Sequence, residues 1–330
     1  MAFEDILGNQ RVKNILKKAL NRSRVPGSLM FSGPEGVGKR EVALIVAKTL
    51  NCLKQEHDAC ESCTHCRAIN ESKFPDVLEI KPEKNTIKID QIREMKQIVY
   101  LKPMSGRKRI FIVNHIECMN QEAANSLLKV LEEPPEFTHL ILLTENPYLV
   151  LPTIKSRCQK LIFTPVSRSD IQKALIEKGM DSKRARILSL MSRGNLRQAL
   201  DSDWKTAQES RKLAWKIFVS LREGRNAAAV FKKYSQYSRN KFNEEFSGVL
   251  ELLASFARDL ILIEKGGDKN LLMNPDLENK LKSQLKETDA GGIWELLKII
   301  DEVIFSLQKN LNVKIVMESM ATQFMGNHYV

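Results

Sequence analysis

The chain has 330 residues, too many for one small core and, at ordinary domain sizes, enough for two or three domains. Its hydrophobic content of 43% is that of a globular protein, no apolar run approaches the ~20 residues that span a bilayer, and the opening MAFEDILGNQ lacks the basic-then-apolar pattern of a signal peptide, so a cytoplasmic setting without membrane contact is expected. With 52 Lys+Arg against 40 Asp+Glu the formal charge is +12, which favours a polyanion such as DNA, although a solvated cationic surface accounts for the same number; the sparse aromatics (13 Phe, 3 Trp, 5 Tyr) argue against base stacking and leave phosphate contact.

In chain order, the short apolar run Ser28–Ser32 predicts a buried strand, and residues 39–50 repeat apolar positions at helical spacing. Between them stands GPEGVGKR, residues 33–40. It fits the phosphate-binding pattern G-x-x-x-x-G-K-[ST] except at its last position. In that pattern the glycines turn backbone N–H groups onto a phosphate chain, the lysine neutralises the terminal phosphates, and the hydroxyl holds magnesium. Gly33, Gly36, Gly38 and Lys39 therefore predict an anion site at a helix N-terminus, while Arg40 cannot ligate a cation.

Four of the six cysteines follow, Cys52, Cys60, Cys63 and Cys66, as C-x7-C-x2-C-x2-C. The C-x2-C pairs aim neighbouring sulfurs at one ion and Cys52 closes a tetrahedral shell, so a structural zinc knuckle at about residues 51–67 is expected; an iron–sulfur cluster and four free thiols are the alternatives. His57 and His65 lie within the array as possible substitutes for a sulfur. Cys118 and Cys158 read as packed thiols.

Strand-like and helix-like runs then alternate: Val77–Ile80, a helix over 90–100, Arg109–Val113, the helix Gln121–Glu132, then strands at 140–144 and 161–163. That alternation predicts a parallel sheet covered on both faces, with the phosphate loop at its carboxyl edge. A magnesium-dependent NTPase of this build needs acidic residues where Arg109–Val113 ends, and this chain has Asn114 and His115. Glu117, two residues on, is expected to point elsewhere. The pocket reads as retained and hydrolysis as lost.

ANSLLKVLEEPP at 124–135, SRC at 156–158 and the four-cysteine insert together resemble the bacterial DNA polymerase III clamp-loader AAA+ family, and within it the delta-prime type. The opening FEDILGNQ at 3–10 and NLNVKIVME at 310–318 are similar to the family's adenine-side segment and last collar helix. On the residues alone, Ala124, Leu127, Leu128 and Leu131 form a core stripe ended by Pro134 and Pro135, and Arg157 reads as a surface salt-bridge residue. The resemblance implies instead that Arg157 is an arginine finger acting on a neighbouring subunit's ATP. It also implies that Arg197, in GNLRQAL at 194–200, reaches back to nucleotide phosphates, and it aligns Glu145 with a polar sensor position.

Beyond Pro165, runs at 169–178, 183–191 and 195–207 predict a small helical lid, with Ser169 and Asp170 as a cap and Gly179 and Gly194 as stops. From 209 onward the pattern is all-helical, with breaks near Gly224, Gly266–Gly267 and Gly291–Gly292 and a core face including Leu250, Leu253, Phe256, Leu260 and Ile263. The expected division is thus a P-loop domain over 1–165, a lid over 166–208 and a collar over 209–330. The resemblance implies a hetero-pentameric ring with gamma/tau-type and delta-type subunits, an indirect link to the sliding clamp, and primed DNA inside the ring. Arg107, Lys108, Lys183, Arg184 and Arg186 are candidates for its phosphates. ATP or ADP would be bound without hydrolysis. The other readings are an active gamma/tau-type ATPase, which needs the missing magnesium groups, and a P-loop phosphotransferase, which explains neither the cysteines nor the helical C-terminal third.

Overall fold

The computed structural model describes residues 2–54, 58–192, 194–222, 247–285, 290–308 and 312–326. His57, Gly224, Asn310 and Leu311 lie outside the described residues. The chain divides into two compact units, one of residues 1–175 with 193–200, the other of 176–192 with 201–330.

The first unit opens with a 3-10 turn, Phe3–Asp5, and helix α1 (Gln10–Asn21). Next come β1 (Ser28–Ser32), α2 (Lys39–Asn51), α3 (Thr64–Asn70), β2 (Val77–Ile80), α4 (Ile89–Val99) and β3 (Arg109–Val113). After β3 stand α5 (Gln121–Glu132), β4 (Thr138–Thr144), the single turn α6 (Pro152–Lys155), β5 (Gln159–Ile162), α7 (Arg168–Glu177) and, past residue 193, α9 (Leu196–Asp201), with α8 (Ser182–Met191) in the second unit. Among the described residues the strands form one parallel sheet in the order β2-β3-β4-β1-β5.

Strand alternation explains the two layers of helices. Leu29, Phe31, Ile110, Ile112, Ile141 and Leu143 face one side, with Val42, Val46 and Leu16 from α2 and α1 in the same buried cluster. Met30, Phe111, Val113, Leu140 and Leu142 face the other, with Ile92, Val99, Ala124 and Leu127 of α4 and α5. The central strands β1, β3 and β4 are buried throughout, as expected of a sheet covered on both faces. Register aligns their ends, with Ser32 opposite both Thr144 and Ile162, and Val113 opposite both Ile80 and Leu142. The phosphate loop, Asn114 and Glu145 leave this shared carboxyl edge.

Several boundaries differ from the sequence expectation. β4 starts two residues early because Thr138 is buried and its hydroxyl donates to Val99 O at 2.9 Å. The helix expected over 195–207 is two helices, since Asp203 caps a new one, α10 (Trp204–Arg222), by accepting the Thr206 N–H at 3.0 Å. At the start of α7, Ser167 rather than Ser169 or Asp170 takes the cap role, accepting the Asp170 N–H at 3.1 Å. Gly179 and Gly194 do stand at turns, with φ of +89° and +87°.

The second unit is helical. α8 and α10 pack with helices Ser247–Glu264, Glu278–Lys282, Ala290–Gln308 and Val313–Gly326. Leu250, Leu253, Phe256 and Leu260 are buried in its core, Ile263 is partly buried, and Trp215 and Phe218 meet the Phe256 ring edge-on. Gly291 and Gly292 lie in the first turn of a helix instead of breaking one. Asp259, fully buried, accepts the backbone N–H groups of Met273 and Asn274 at 2.8 and 2.6 Å and so fastens that loop to its helix. No helix among the described residues is long and apolar enough to cross a membrane.

Candidate functional site

The loop between β1 and α2 has the backbone its glycines allow. Gly36 and Gly38 adopt φ of +69° and +90°, where any side chain is strained. At Gly33 a Cβ would meet Phe163 O at 2.4 Å, and at Gly36 it would meet the Asn195 Oδ1 at 1.7 Å. Asn195, which also accepts the Gln198 N–H at 2.8 Å at the start of α9, therefore sits directly on the phosphate loop. The Lys39 ammonium folds back onto the same loop, donating to Gly33 O at 2.7 Å and Pro34 O at 2.6 Å. Burial lowers its pKa, against the pull of Glu145, Glu117 and Glu35. The left-handed glycines and Lys39 fit a phosphate, which would replace the two carbonyls as the partner of Lys39.

Arg40, standing where the pattern has a hydroxyl, turns to β2. Its Nε donates to Glu79 Oε2 at 3.1 Å and its Nη2 to Glu79 Oε1 at 2.5 Å, and Lys81 Nζ lies 3.4 Å from the same carboxylate. Asn114 is likewise committed: its backbone N–H and its Nδ2 both donate to Ile80 O, at 2.9 and 3.3 Å.

Glu117 corrects the sequence reading. His115 takes a left-handed φ of +51° and the chain then coils into a 3-10 turn, Ile116–Cys118, so strand alternation no longer sets direction. Glu117 folds back to the sheet edge, where its Oε1 accepts the Glu145 N–H at 3.0 Å. His115 Nδ1 lies 3.7 Å from that Oε1 and 3.8 Å from Glu145 Oε1. The Glu117 side chain raises the imidazole pKa over the opposing effect of burial. Burial works against the Glu117 carboxylate, yet its neighbours His115 and Thr144 hold its pKa down; at the half-buried Glu145 desolvation outweighs the pull of His115 and Lys39 and pushes the pKa up.

The four cysteines converge. Their sulfurs all lie within 4.8 Å of one another, and Cys60 Sγ is 3.9 Å from Cys66 Sγ. A tetrahedral ion with ~2.3 Å zinc–sulfur bonds sets sulfurs about 3.8 Å apart, so the group is spaced to hold one metal ion. The N–H groups of Cys63 and Cys66 donate to Cys60 Sγ and Cys63 Sγ, each at 3.4 Å. Burial opposes the Cys60 thiolate, but hydrogen bonds from Ser62 and Cys63 bring it down to about 6. His65 is not among these groups: its Nδ1 is 2.9 Å from Asn51 O and its ring stacks 4.9 Å from Phe74. The knuckle is tied to α2 by the buried Lys48, which pairs with Glu61 and donates to Asn70 Oδ1 at 3.0 Å.

Arg157 stands just after α6 and is held at three points. It pairs with Glu132, the last residue of α5, through Nε to Oε1 at 2.6 Å, and its Nη1 donates to Thr153 O at 2.9 Å and Ser156 Oγ at 3.3 Å. Arg197 lies on α9 with an exposed side chain. Of the basic residues considered for DNA, Arg107 and Lys108 donate to Cys52 O at 3.1 Å and Glu136 O at 2.7 Å, and Arg184 pairs with Asp181 at 2.9 Å. Glu79, Asn195 and Glu132 were not singled out from the sequence. Only the acidic pair in LEEPP hinted at any of them.

The family described as DNA polymerase III, delta subunit, matches residues 8–167. The chain is 30% identical to DNA polymerase III subunit delta' of Bacillus subtilis (strain 168) over 94% of each protein. It is 25% identical to subunit tau of the same organism over 91% of this chain, which spans only 57% of tau. A solved gamma subunit-related protein from Thermotoga maritima aligns over 95% of this chain and 98% of its own at 21% identity and a TM-score of 0.38, a likeness on which nothing further rests.

Proposed function

The chain belongs to the bacterial DNA polymerase III clamp-loader family, and we propose that it serves there as a delta-prime-type subunit that does not hydrolyse ATP itself but lends Arg157 to a neighbouring ATPase during sliding-clamp loading. The match to a delta-prime subunit runs end to end in both proteins, whereas the tau match leaves much of tau uncovered. The observation that carries the reading is the fate of the magnesium positions. Arg40 is bound to Glu79 and Asn114 to Ile80 O, so neither can hold a nucleotide's cation.

In this role the pocket of Gly33, Gly36, Gly38 and Lys39, with Arg197 from the lid, binds ATP or ADP without cleaving it. Arg40 borders that pocket and faces Glu79. The four thiolates Cys52, Cys60, Cys63 and Cys66 hold a structural zinc. The segments 1–165, 166–208 and 209–330 act as P-loop domain, lid and collar, the last joining gamma/tau-type and delta-type subunits in a hetero-pentameric ring in the cytoplasm. That ring engages the sliding clamp and the phosphates of primed DNA.

The test mixes the purified chain, as native protein and as Arg157→Ala, with a gamma/tau-type ATPase subunit and a delta-type subunit, and follows primer-stimulated ATP hydrolysis. Expected are no turnover by the chain alone, assembly by both versions, and a loss of about 10³-fold or more with alanine, the worth of an arginine finger. Magnesium-dependent turnover by the isolated chain that vanishes with Lys39→Ala would instead make it a gamma/tau-type ATPase.

A further inference from the structure

We propose that His115, Glu117 and Glu145 form a divalent-cation site of their own at the carboxyl edge of the sheet, one that takes a manganese- or zinc-class ion with no nucleotide present. The inference does not rest on the role in clamp loading, since it concerns only what these three side chains do together.

One donor atom from each residue lies within 4.8 Å of the other two. The distances from His115 Nδ1 to the carboxylate oxygens, 3.7 and 3.8 Å, are too long for hydrogen bonds. They are close to the separation of about 3.4 Å that two donors adopt when they share a tetrahedral ion at ~2.1 Å. Small side-chain rotations would bring the imidazole into that range of both carboxylates.

A second observation points to a ligand. The Glu117 side chain is 10% exposed, and while its Oε1 takes the Glu145 N–H, its Oε2 has no hydrogen-bond partner. Thr144, 1% exposed, sets its hydroxyl beside that carboxylate. A buried carboxylate oxygen left unpaired is costly, and native structures seldom carry one without reason. A cation seated between the carboxylates gives the Glu117 oxygens their partner. The backbone already supports this arrangement, because the left-handed His115 brings its ring over the two carboxylates, while Lys39, the nearby ammonium, directs its hydrogen bonds to Gly33 O and Pro34 O.

The donor set selects the ion. One imidazole nitrogen with two carboxylates suits manganese or zinc, whereas magnesium prefers an all-oxygen octahedron. Such a site differs in its ligands from the hydroxyl-and-aspartate arrangement of a P-loop ATPase and needs no phosphate oxygen to complete it. With His115 half exposed, an ion can enter from solvent.

The experiment uses the full chain with its thiolates saturated by one equivalent of zinc, so that added Mn2+ cannot compete for sulfur. Mn2+ is titrated without nucleotide and the free ion is followed by its paramagnetic resonance signal. One bound Mn2+ per chain is expected, displaced by a second equivalent of zinc, with affinity reduced about tenfold or more in His115→Ala and in Glu117→Gln. Loss of fold in a variant is separated from loss of site by its thermal unfolding and its zinc content, and bound Mn2+ in the native protein should broaden the His115 ring signals before those of the other histidines. Retention of no Mn2+, native affinity in both variants, or binding only when ATP is added would each overturn the proposal.

Discussion

The Arg40 guanidinium and the Glu79 carboxylate meet side-on, Nε to Oε2 at 3.1 Å and Nη2 to Oε1 at 2.5 Å, linking the first turn of α2 to the edge strand β2. The side chains are 36% and 16% exposed, so the pair is solvent-screened and contributes less than about 1 kcal/mol. Restoring the missing hydroxyl by Arg40→Thr should therefore shift thermal unfolding by only a few degrees and give no ATP turnover, because Asn114 and His115 still supply no aspartate. Phosphate release well above the native background in this single variant would show that position 40 alone blocks hydrolysis.

Asp76 and Arg109 make a pair of the opposite kind. Asp76 is fully buried and accepts the N–H groups of Met104, Ser105 and Gly106 at 2.8, 2.7 and 2.8 Å as well as Arg109 Nη2 at 2.9 Å. Burial alone would raise its pKa, but those three N–H groups and the guanidinium together hold it below the usual value. A depressed carboxylate stabilises the fold above its unfolded pKa of about 3.9, and that increment fades as pH falls through the lower folded value. Asp76→Ala should cost about 3–5 kcal/mol by stranding Arg109, and urea unfolding between pH 7 and 3 should show an acid-sensitive increment in the native chain that the variant lacks. Parallel pH curves for the two proteins would contradict this.

The sheet was legible because its signals are local. SLMFS, RIFIV and LILLT are apolar runs too short for helices, the first two followed by a helical period, and glycine, lysine and cysteine spacing marked the loop and the knuckle without tertiary information. What escaped was set by contacts between distant segments. Glu79 and Arg40 are 39 residues apart, and Glu117 reaches Glu145 across 28. The direction of Glu117 was misjudged because a single left-handed residue, His115, replaces a period of two by a 3-10 turn. Asn195 is hidden for a similar reason, since only the fold brings the start of α9 onto Gly36.

The four-cysteine knuckle, which we propose holds zinc, should be an anchoring unit whose loss spreads along α2. Cys52 directly follows α2, and the neighbouring Asn51 Oδ1 accepts the N–H groups of Arg107 and Lys108 at 2.8 and 2.9 Å. One zinc per chain is expected by atomic absorption, and its removal by a chelator should raise amide exchange in 58–70 and 105–108 well before the central strands. Iron in place of zinc would contradict the expected ion, and unchanged exchange after complete metal removal would sever the link to Asn51.

Arg157, which we propose acts on a neighbouring subunit's ATP, is paired with Glu132 within its own chain. Arg157 is 31% exposed and Glu132 48%, so parting them costs at most about 1 kcal/mol. The pair then acts to align the guanidinium rather than to imprison it, with Thr153 O fixing its other edge at 2.9 Å. Glu132→Gln should reduce the ATP hydrolysis of the assembled complex by about fivefold at most, the rate equivalent of the 1 kcal/mol at stake, whereas Arg157→Lys, which keeps the charge but loses the planar fork, should fall close to the alanine variant. A stimulated rate in Glu132→Gln would mean that the carboxylate restrains the arginine. Near-native activity in Arg157→Lys would mean that the neighbour needs only a positive charge and not this geometry.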